Sequence, residues 1–376
     1  MRITFYDISM VGYFHYEFNL AMIHIYKEIY PNAKVRLRGE KNLVKNLGKN
    51  LKVESRPFMI FPSKISLYNI LLRDFLGVLY VFFYLIFSKK EDKHVFLLVL
   101  PFTHWCISVL SFILKRDITI CLHGHLDAFS EDSQLGKTRY YYRLEKLLFK
   151  LNLGITYIVL GQPIYDSIKS IFSKKSKVLI IDHPCIYDKK IEKNKFDYPL
   201  IFAQIGSGDR NKGSQYLFEL AEILRQEIKA GLVEFEIIGK LSPNLKNLDR
   251  GIVRYSKEIL SDHDMDSKIR KCYYTLQLRD HNTSQAVASG SFFDTVKYCK
   301  PFLSLNNGFV AYYSRKYGVG EIYMTVSDLA DRIRELIKLR DEISKDYSED
   351  VDKMKVMQRA LSIKSISEVI KIYEFQ

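Results

Sequence analysis

Four stretches of this 376-residue chain gather side chains that can hold or move charge. The first is "IGSGDRNKGSQYL", Ile205 to Leu217. Gly206 and Gly208 carry no side chain, so a ligand can approach the backbone closely. A helix is expected from Ser214, and free N–H groups at a helix start favour an anion. Arg210 and Lys212 add positive charge, and a guanidinium can fork onto phosphate oxygens. The composition suits a phosphate-holding loop, and equally a solvated strand-to-helix connection. It is neither a Walker A loop nor a G-x-G-x-x-G fingerprint.

The second stretch runs from Leu278 to Pro301, "LRDHNTSQAVASGSFFDTVKYCKP". An amphipathic helix is expected from about Phe292, with Asp294 in its first turn. That carboxylate can accept two hydrogen bonds from a ribose diol, or simply complement the helix dipole. Arg279 is either a second phosphate ligand or a surface partner of Asp280. The third stretch, "CLHGHLDAF", ends a strand with His123 and His125, and Asp127 follows. No third ligand stands at metal-site spacing, so no metal is expected. His123 or Asp127 can take a proton from a hydroxyl as general base. A hydrogen-bonded structural histidine is the plain alternative. The fourth, "DISMVGYFHYEF", puts Gly12, Tyr13, His15 and Glu17 beyond the first strand, as contacts to an acceptor.

These residues need a frame, and the apolar pattern supplies one. Strands are expected at "RITFYDI", "AKVRLRG", Val95–Leu100, "DITICLHG", "ITYIVLG" and "KVLIIDHP". Helices are expected between them at about Tyr16–Tyr30, Leu67–Phe87, Thr103–Leu114, Arg139–Leu151 and "PIYDSIKSIF". The charged stretch "CIYDKKIEKNKFDYP" reads as a linker. Beyond it, "LIFAQIG", "VEFEIIG", "GIVRYS", "YYTLQL" and "PFLSL" repeat the alternation. Leu217, Leu220, Ala221, Leu224 and Ile228 make one apolar stripe on a helix over Ser214–Ala230. The tail is helical, with Ser327 or Asp328 as its N-cap.

Strands alternating with helices predict an α/β protein with parallel sheets covered on both faces. The expectation is two Rossmann-like domains facing a central cleft. Residues 1–186 form the acceptor-side domain, 187–199 the linker, and 200–376 the nucleotide-binding domain. The C-terminal helices of the tail are expected to pack back toward the first domain. In such sheets ligands sit beyond the carboxyl ends of the strands, where all four stretches fall.

The formal charge of +14 fits lysine-rich surface, or an anionic membrane or nucleotide partner. Nucleic acid is not expected, for want of a zinc-finger, helix-turn-helix or RNP-like motif. Five scattered cysteines without a C-x-x-C pair read as reduced thiols in the cytoplasm. "MRITFYDIS" is a strand without the apolar core of a signal peptide, so secretion is not expected. Phe75–Phe87 is a run of about 13 residues, too short to span a bilayer. Val95–Leu114 reads as strand, turn and buried helix, broken at Pro101. The Leu67–Phe87 helix, followed by Lys89 and Lys90, is suited to a peripheral contact with the inner face of the plasma membrane.

The second half resembles the nucleotide-sugar-binding domain of GT-B glycosyltransferases, family-4-like, of bacterial surface polysaccharide synthesis. Their G-R-x-x-x-x-K-G pattern is matched by Gly206 and Lys212–Gly213. Their acidic helix followed by G-x-P is matched in spacing by Asp294, Cys299 and Pro301. "ASGSFFDTVKYCKPFLSL" is similar to the corresponding run of capsule enzymes, and "VLIIDHP" and "CLHGH" to strand ends of their first domain. Two positions depart from the pattern. Ser207 stands where the family has a phosphate-binding Arg, and Ala286 where it has the first of two glutamates.

The resemblance implies a metal-independent hexosyltransferase with no cofactor. It would move a sugar from a nucleotide diphosphate sugar, such as a UDP- or GDP-sugar, to a saccharide or lipid-linked acceptor in capsule, O-antigen or exopolysaccharide synthesis. Gly206, Ser207, Arg210, Lys212, Gly213, Arg279 and Asp294 would bind the donor. His123 and Asp127 would be catalytic, with Gly12, Tyr13 and Glu17 on the acceptor side. The two departures leave a non-catalytic partner subunit open, and the fold leaves open a sugar-nucleotide epimerase.

Overall fold

The computed structural model describes residues 1–8, 16–58, 67–123, 125–129, 136, 138–151, 153–187, 189, 191, 198–279, 286–339 and 343–375. Short β-branched runs bounded by polar turns become thirteen strands among these residues, and every pairing between them is parallel. They form two sheets, each in its own compact unit.

The first unit alternates β1 (Arg2–Asp7), α1 (Tyr16–Ile29), β2 (Lys34–Gly39), α2 (Lys41–Leu51), β3 (Glu54–Pro57), α3 (Leu67–Ile86), β4 (Lys93–Leu98) and α4 (Pro101–Leu114). It continues through β5 (Asp117–Leu122), α5 (Thr138–Tyr142), β6 (Ile155–Leu160), α6 (Gln162–Ile168) and β7 (Lys177–Ile181). The sheet order is β3-β2-β1-β4-β5-β6-β7. β4 is buried at every residue, as a central parallel strand covered on both faces must be.

The second unit runs β8 (Leu200–Ile205), α7 (Ser214–Ile223), α8 (Arg225–Lys229), β9 (Val233–Lys240), β10 (Val253–Ser256), α9 (Asp262–Lys271) and β11 (Tyr274–Gln277). Then come α10 (Gly290–Lys297), β12 (Phe302–Leu305), α11 (Gly308–Tyr317), β13 (Glu321–Tyr323), α12 (Val326–Lys338) and α13 (Ile343–Ala360). Its sheet order is β10-β9-β8-β11-β12-β13. The last helix, α14 (Ile363–Phe375), belongs to the first unit, where Ile366 and Ile370 join the core of Met22, Tyr26 and Ile158.

Several elements differ from the sequence reading. α2 and β3 were not expected, because "KNLVKNLGKNL" and "ESRP" are polar. Leu43, Val44, Leu47 and Leu51 still bury one face of α2, and the Glu40 carboxylate caps its start. The stripe helix breaks at Leu224 into α7 and α8. The tail's N-cap is Thr325, with Asp328 as the partner in a capping box. The Arg139–Leu151 helix is the short α5 followed by a 3₁₀ turn over Arg143–Lys150.

The largest difference concerns α3. The apolar run extends through the whole helix, and Tyr68–Ile86 is long and apolar enough to cross a membrane by length and composition. About a third of this stretch is buried. α3 packs along α4, and the anchor between them is Asp74, which is fully buried. Its carboxylate accepts from the Phe102 and Thr103 N–H groups at the start of α4, each at 2.7 Å. It also accepts from the Thr103 and Tyr141 hydroxyls. Burial pushes the Asp74 carboxyl up, and these four donors pull against that rise.

Asp74→Ala would leave the first N–H groups of α4 buried without partners. It should lower stability by about 3 kcal/mol, read as a fall in the urea midpoint at unchanged m-value.

Candidate active site

The order of the second sheet reverses between β8 and β11: β9 and β10 lie to one side of β8, β12 and β13 beyond β11. Crossovers diverge at such a point and leave a crevice at the carboxyl ends of the two strands. The loop after β8 and the residues after β11 meet there.

The loop after β8 is held on both sides. Toward β9, the Gly206 N–H donates to Ile238 O and the Gly208 N–H to Lys240 O, both at 3.0 Å. Toward β11 the approach is closer still. Gly213 has φ +72°, and a Cβ there would lie 1.9 Å from the Leu278 carbonyl oxygen. Within the loop, the buried Ser214 hydroxyl donates to Gln204 Oε1 (2.6 Å) and accepts from the Asp209 N–H (2.9 Å). Gln204 Nε2 donates to the Lys212 carbonyl (2.7 Å), and the Asp209 carboxylate accepts from the Lys212 N–H (3.0 Å).

This lattice places the side chain of Lys212. A Cβ on Gly206 would sit 2.6 Å from its Nζ, so Gly206 makes room for the ammonium. Lys212 is half-buried. Burial holds its ammonium below the usual lysine range, opposed by Asp209 and Asp294 and reinforced by Arg279. Residues of three separate elements thus act on one another: Lys212 from the β8 loop, Arg279 from the end of β11, Asp294 from α10.

α10 is fastened to β11 from beneath. Gln277 Nε2 donates to Thr295 Oγ1 (3.1 Å), and Thr295 Oγ1 donates to Thr275 Oγ1 (3.1 Å), all three side chains buried. The helix starts at Gly290, earlier than the sequence suggested, so Asp294 lies past the first turn. The helix-dipole reading of Asp294 therefore loses its basis, since that effect fades beyond the first turn.

Other expected residues fall differently. The Ser214 N–H donates to the Asp209 carbonyl (3.1 Å) and the Tyr216 N–H to the Gly213 carbonyl (3.0 Å). Those two N–H groups are committed within the loop. Ser207 and Arg210 are exposed, and the Ser207 hydroxyl donates to the Asp209 carboxylate (3.2 Å). The charges acting on Lys212 include Arg279 rather than Arg210. Ala286 is buried.

In the first unit, His123 directly follows β5, and its ring meets Phe18 edge-on at 4.6 Å. His183, just past β7, lies 5.6 Å from His123 and 5.1 Å from Phe18 between ring centroids. His183 was missed in the sequence, although "VLIIDH" ends in histidine just as "ITICLH" does. Asp127 is buried in the 3₁₀ turn His125–Phe129, and Glu17 is exposed at the start of α1. Gly12, Tyr13, His15 and Asp280 lie outside the described residues, as does the side chain of His125.

With this geometry in hand, comparison with solved structures gives the fold. A lipopolysaccharide outer core galactosyltransferase, WaaB, in its apo form, matches over 100% of this chain and 99% of its own, with TM-score 0.62 and 14% identity. TarM matches over 99% and 98%, with TM-score 0.68 and 12% identity. Anabaena Alr3699/HepE, solved in complex with UDP-glucose, matches over 100% of both chains, with TM-score 0.67 and 12% identity. No protein-family model matches the chain, and no curated protein does. The chain has the GT-B fold: two parallel α/β units, of seven and six strands.

The close approach at Gly213 can be separated from its backbone strain. Gly231 has φ +71° but open space around it. Gly231→Ala should cost about 1 kcal/mol, the strain alone. Gly213→Ala should cost about 3 kcal/mol or more, because the loop must part from β11. Parallel denaturant titrations of the two variants give the difference.

Proposed function

We propose that the protein is a glycosyltransferase that takes its sugar from a nucleotide diphosphate sugar. One observation carries this reading: Lys212, Arg279 and Asp294 converge where the order of the second sheet reverses. A leaving diphosphate gains negative charge as the glycosidic bond breaks. Cations already in place stabilise it without reorganising. Lys212 and Arg279 serve as those cations, and Asp294 accepts from the ribose hydroxyls. HepE, of the same fold, was solved with UDP-glucose, which supports a uridine diphosphate donor.

In this reading the first unit receives the acceptor, a saccharide or lipid-linked hydroxyl compound. His123 and Asp127 are the general-base candidates, with Gly12, Tyr13 and Glu17 as acceptor contacts. The finer assignment, a hexosyltransferase of bacterial surface polysaccharide synthesis in the cytoplasm, rests on the motif resemblance and the named neighbours. That chemistry requires no cofactor, the diphosphate charge being met by Lys212 and Arg279. Peripheral membrane contact is assigned to α3 and α4, which expose Phe75, Phe82, Phe83, Phe112 and Ile113.

Lys212→Ala should weaken UDP or GDP binding by roughly tenfold or more, and Asp294→Asn should do so for nucleoside diphosphates. Calorimetric titration checks both; affinities within twofold of wild type would remove the assignments. Product analysis separates the rivals. Epimerised sugar nucleotide released without acceptor marks an epimerase, and binding without turnover of any donor marks a non-catalytic subunit.

The lysine also sets a pH dependence. Only its protonated form attracts the diphosphate, and its pKa in the free protein is below the ordinary value. Affinity should therefore fall as pH rises through that lowered pKa, before a solvated lysine would lose its proton. Lys212→Arg should flatten the fall, since a guanidinium keeps its proton. Nucleoside diphosphate titrations across an alkaline series test this.

A further inference from the structure

A second group of cations lies in the first unit, on the face of the sheet rather than at its strand ends. Register aligns His94 of β4, Thr4 of β1, Arg36 of β2 and Glu54 of β3 in one cross-strand row. The next row on the same face holds Phe96, Tyr6, Arg38 and Arg56. The C-terminal part of α3 supplies Phe83 and Tyr84 over these rows, and Phe87 and Ser88 follow it. With these four, Arg2, Arg36, Arg38, Asp92 and His94 line a partly open cavity of about 330 Å³. At about 30 Å³ per water, that is room for a phosphate group with several waters.

The charges in this cavity do not balance. Glu54 takes both Arg36 (2.7 Å) and Arg56 (2.8 Å), and Asp92 takes Arg2 at 3.0 Å through its backbone N–H and 3.7 Å through Nη1. Arg38 is left over. It is 2% exposed and has no carboxylate partner among the described residues. Its Nη1 donates to the Tyr80 and Tyr84 hydroxyls, and its guanidinium lies 3.7 Å from the Tyr84 ring centroid. Neutral hydroxyls and a ring face offset a buried charge only in part. Its Nε is buried without any hydrogen-bond partner.

His94 adds a second open position. It is 2% exposed, its Nδ1 lies 2.9 Å from the Tyr6 hydroxyl, and its Nε2 is buried without a partner. Burial holds its pKa down at about 4, so the ring is neutral at physiological pH. In the tautomer in which Tyr6 donates to Nδ1, Nε2 carries the ring hydrogen and is a donor.

We propose that this cavity is an oxyanion site of the phosphate class, with Arg38 as its principal ligand and His94 as a neutral donor. A phosphate would receive the unpaired charge of Arg38, while Asp92, held by Arg2, bounds the site on the opposite side of the charge balance. The outer lining is apolar and open, with Phe83 56% and Phe87 80% exposed. A phosphate carrying a hydrocarbon chain and a soluble phosphate ester share the chemistry Arg38 would recognise. The site is independent of the donor loop in the second unit and does not rest on the function proposed above.

The test uses the full chain in a Lys212→Ala background, so that the β8 loop does not report. Inorganic phosphate and glycerol 3-phosphate are titrated calorimetrically at low ionic strength. Saturable binding is expected, weakened roughly tenfold or more by Arg38→Met, which removes the charge at similar volume. Should Arg38→Met not fold, the His94 ring proton resonances of the parent chain must shift saturably with phosphate. No saturable binding, binding indifferent to Arg38→Met, or an unmoved His94 overturns the proposal.

Flotation with phosphatidylcholine vesicles, with and without phosphatidic acid, then names the source. Association that needs phosphatidic acid, and is lost in both Arg38→Met and Phe87→Asp, assigns a lipid phosphate. Phosphate binding lost in Arg38→Met with vesicle association unchanged assigns a soluble ester.

Discussion

The contact on which the second unit's site depends is between two backbones. Gly213 reaches the Leu278 carbonyl so closely that no side chain fits between them. Because of it, the loop leaving β8 and the chain leaving β11 share one wall at the reversal of strand order. Lys212 is the residue before Gly213, and Arg279 the residue after Leu278. Their proximity follows from this single approach, and neither needs a flexible reach to find the other. A site whose charged groups are placed by backbone contact loses little conformational entropy when a ligand arrives.

The electrostatics follow from that placement. Lys212 is half-buried beside a second cation, which is unfavourable until something negative joins them. Asp209 and Asp294 offset part of the cost, but Asp209 is already engaged with the Lys212 N–H and the Ser207 hydroxyl. The free protein therefore holds the ammonium with its pKa lowered. Ser207 brings no charge to the loop, and the second cation acting on Lys212 is Arg279, from the chain leaving the neighbouring strand.

The alternation of apolar runs made the two-sheet architecture legible, since buried parallel strands must be continuously apolar and their helices amphipathic. Gly206, Lys212 and Gly213 were legible by spacing, because a backbone approach imposes glycine at fixed offsets. What stayed hidden depends on contacts between distant segments. α2 and β3 are polar on one side, and only their packing against β2 and α1 reveals them. Asp294 was read at a helix start, but Ser289 begins the helix earlier and the turn chemistry there is weak, with no side-chain cap. Arg279 and Arg210 were indistinguishable as charges in a loop, and strand adjacency separates them. His183 lies far from His123 in sequence, and both meet Phe18 only because the parallel strands β5 and β7, one on each side of β6, end at the same edge of the sheet.

Similarity of fold at 12–14% identity leaves chemistry to individual side chains. Two arginines illustrate the point. Arg279 lies just past a strand end, where the reversal of strand order itself opens a crevice. Arg38 lies on the sheet face, where the fold provides only a covered surface and where apolar residues would pack better. A buried guanidinium with no carboxylate survives there at a cost in stability that nothing in the architecture requires. Its contacts are the hydroxyls and ring faces of Tyr80 and Tyr84, which tolerate a cation without neutralising it. A residue that the fold does not need, placed where it is costly, is evidence of chemistry particular to this chain.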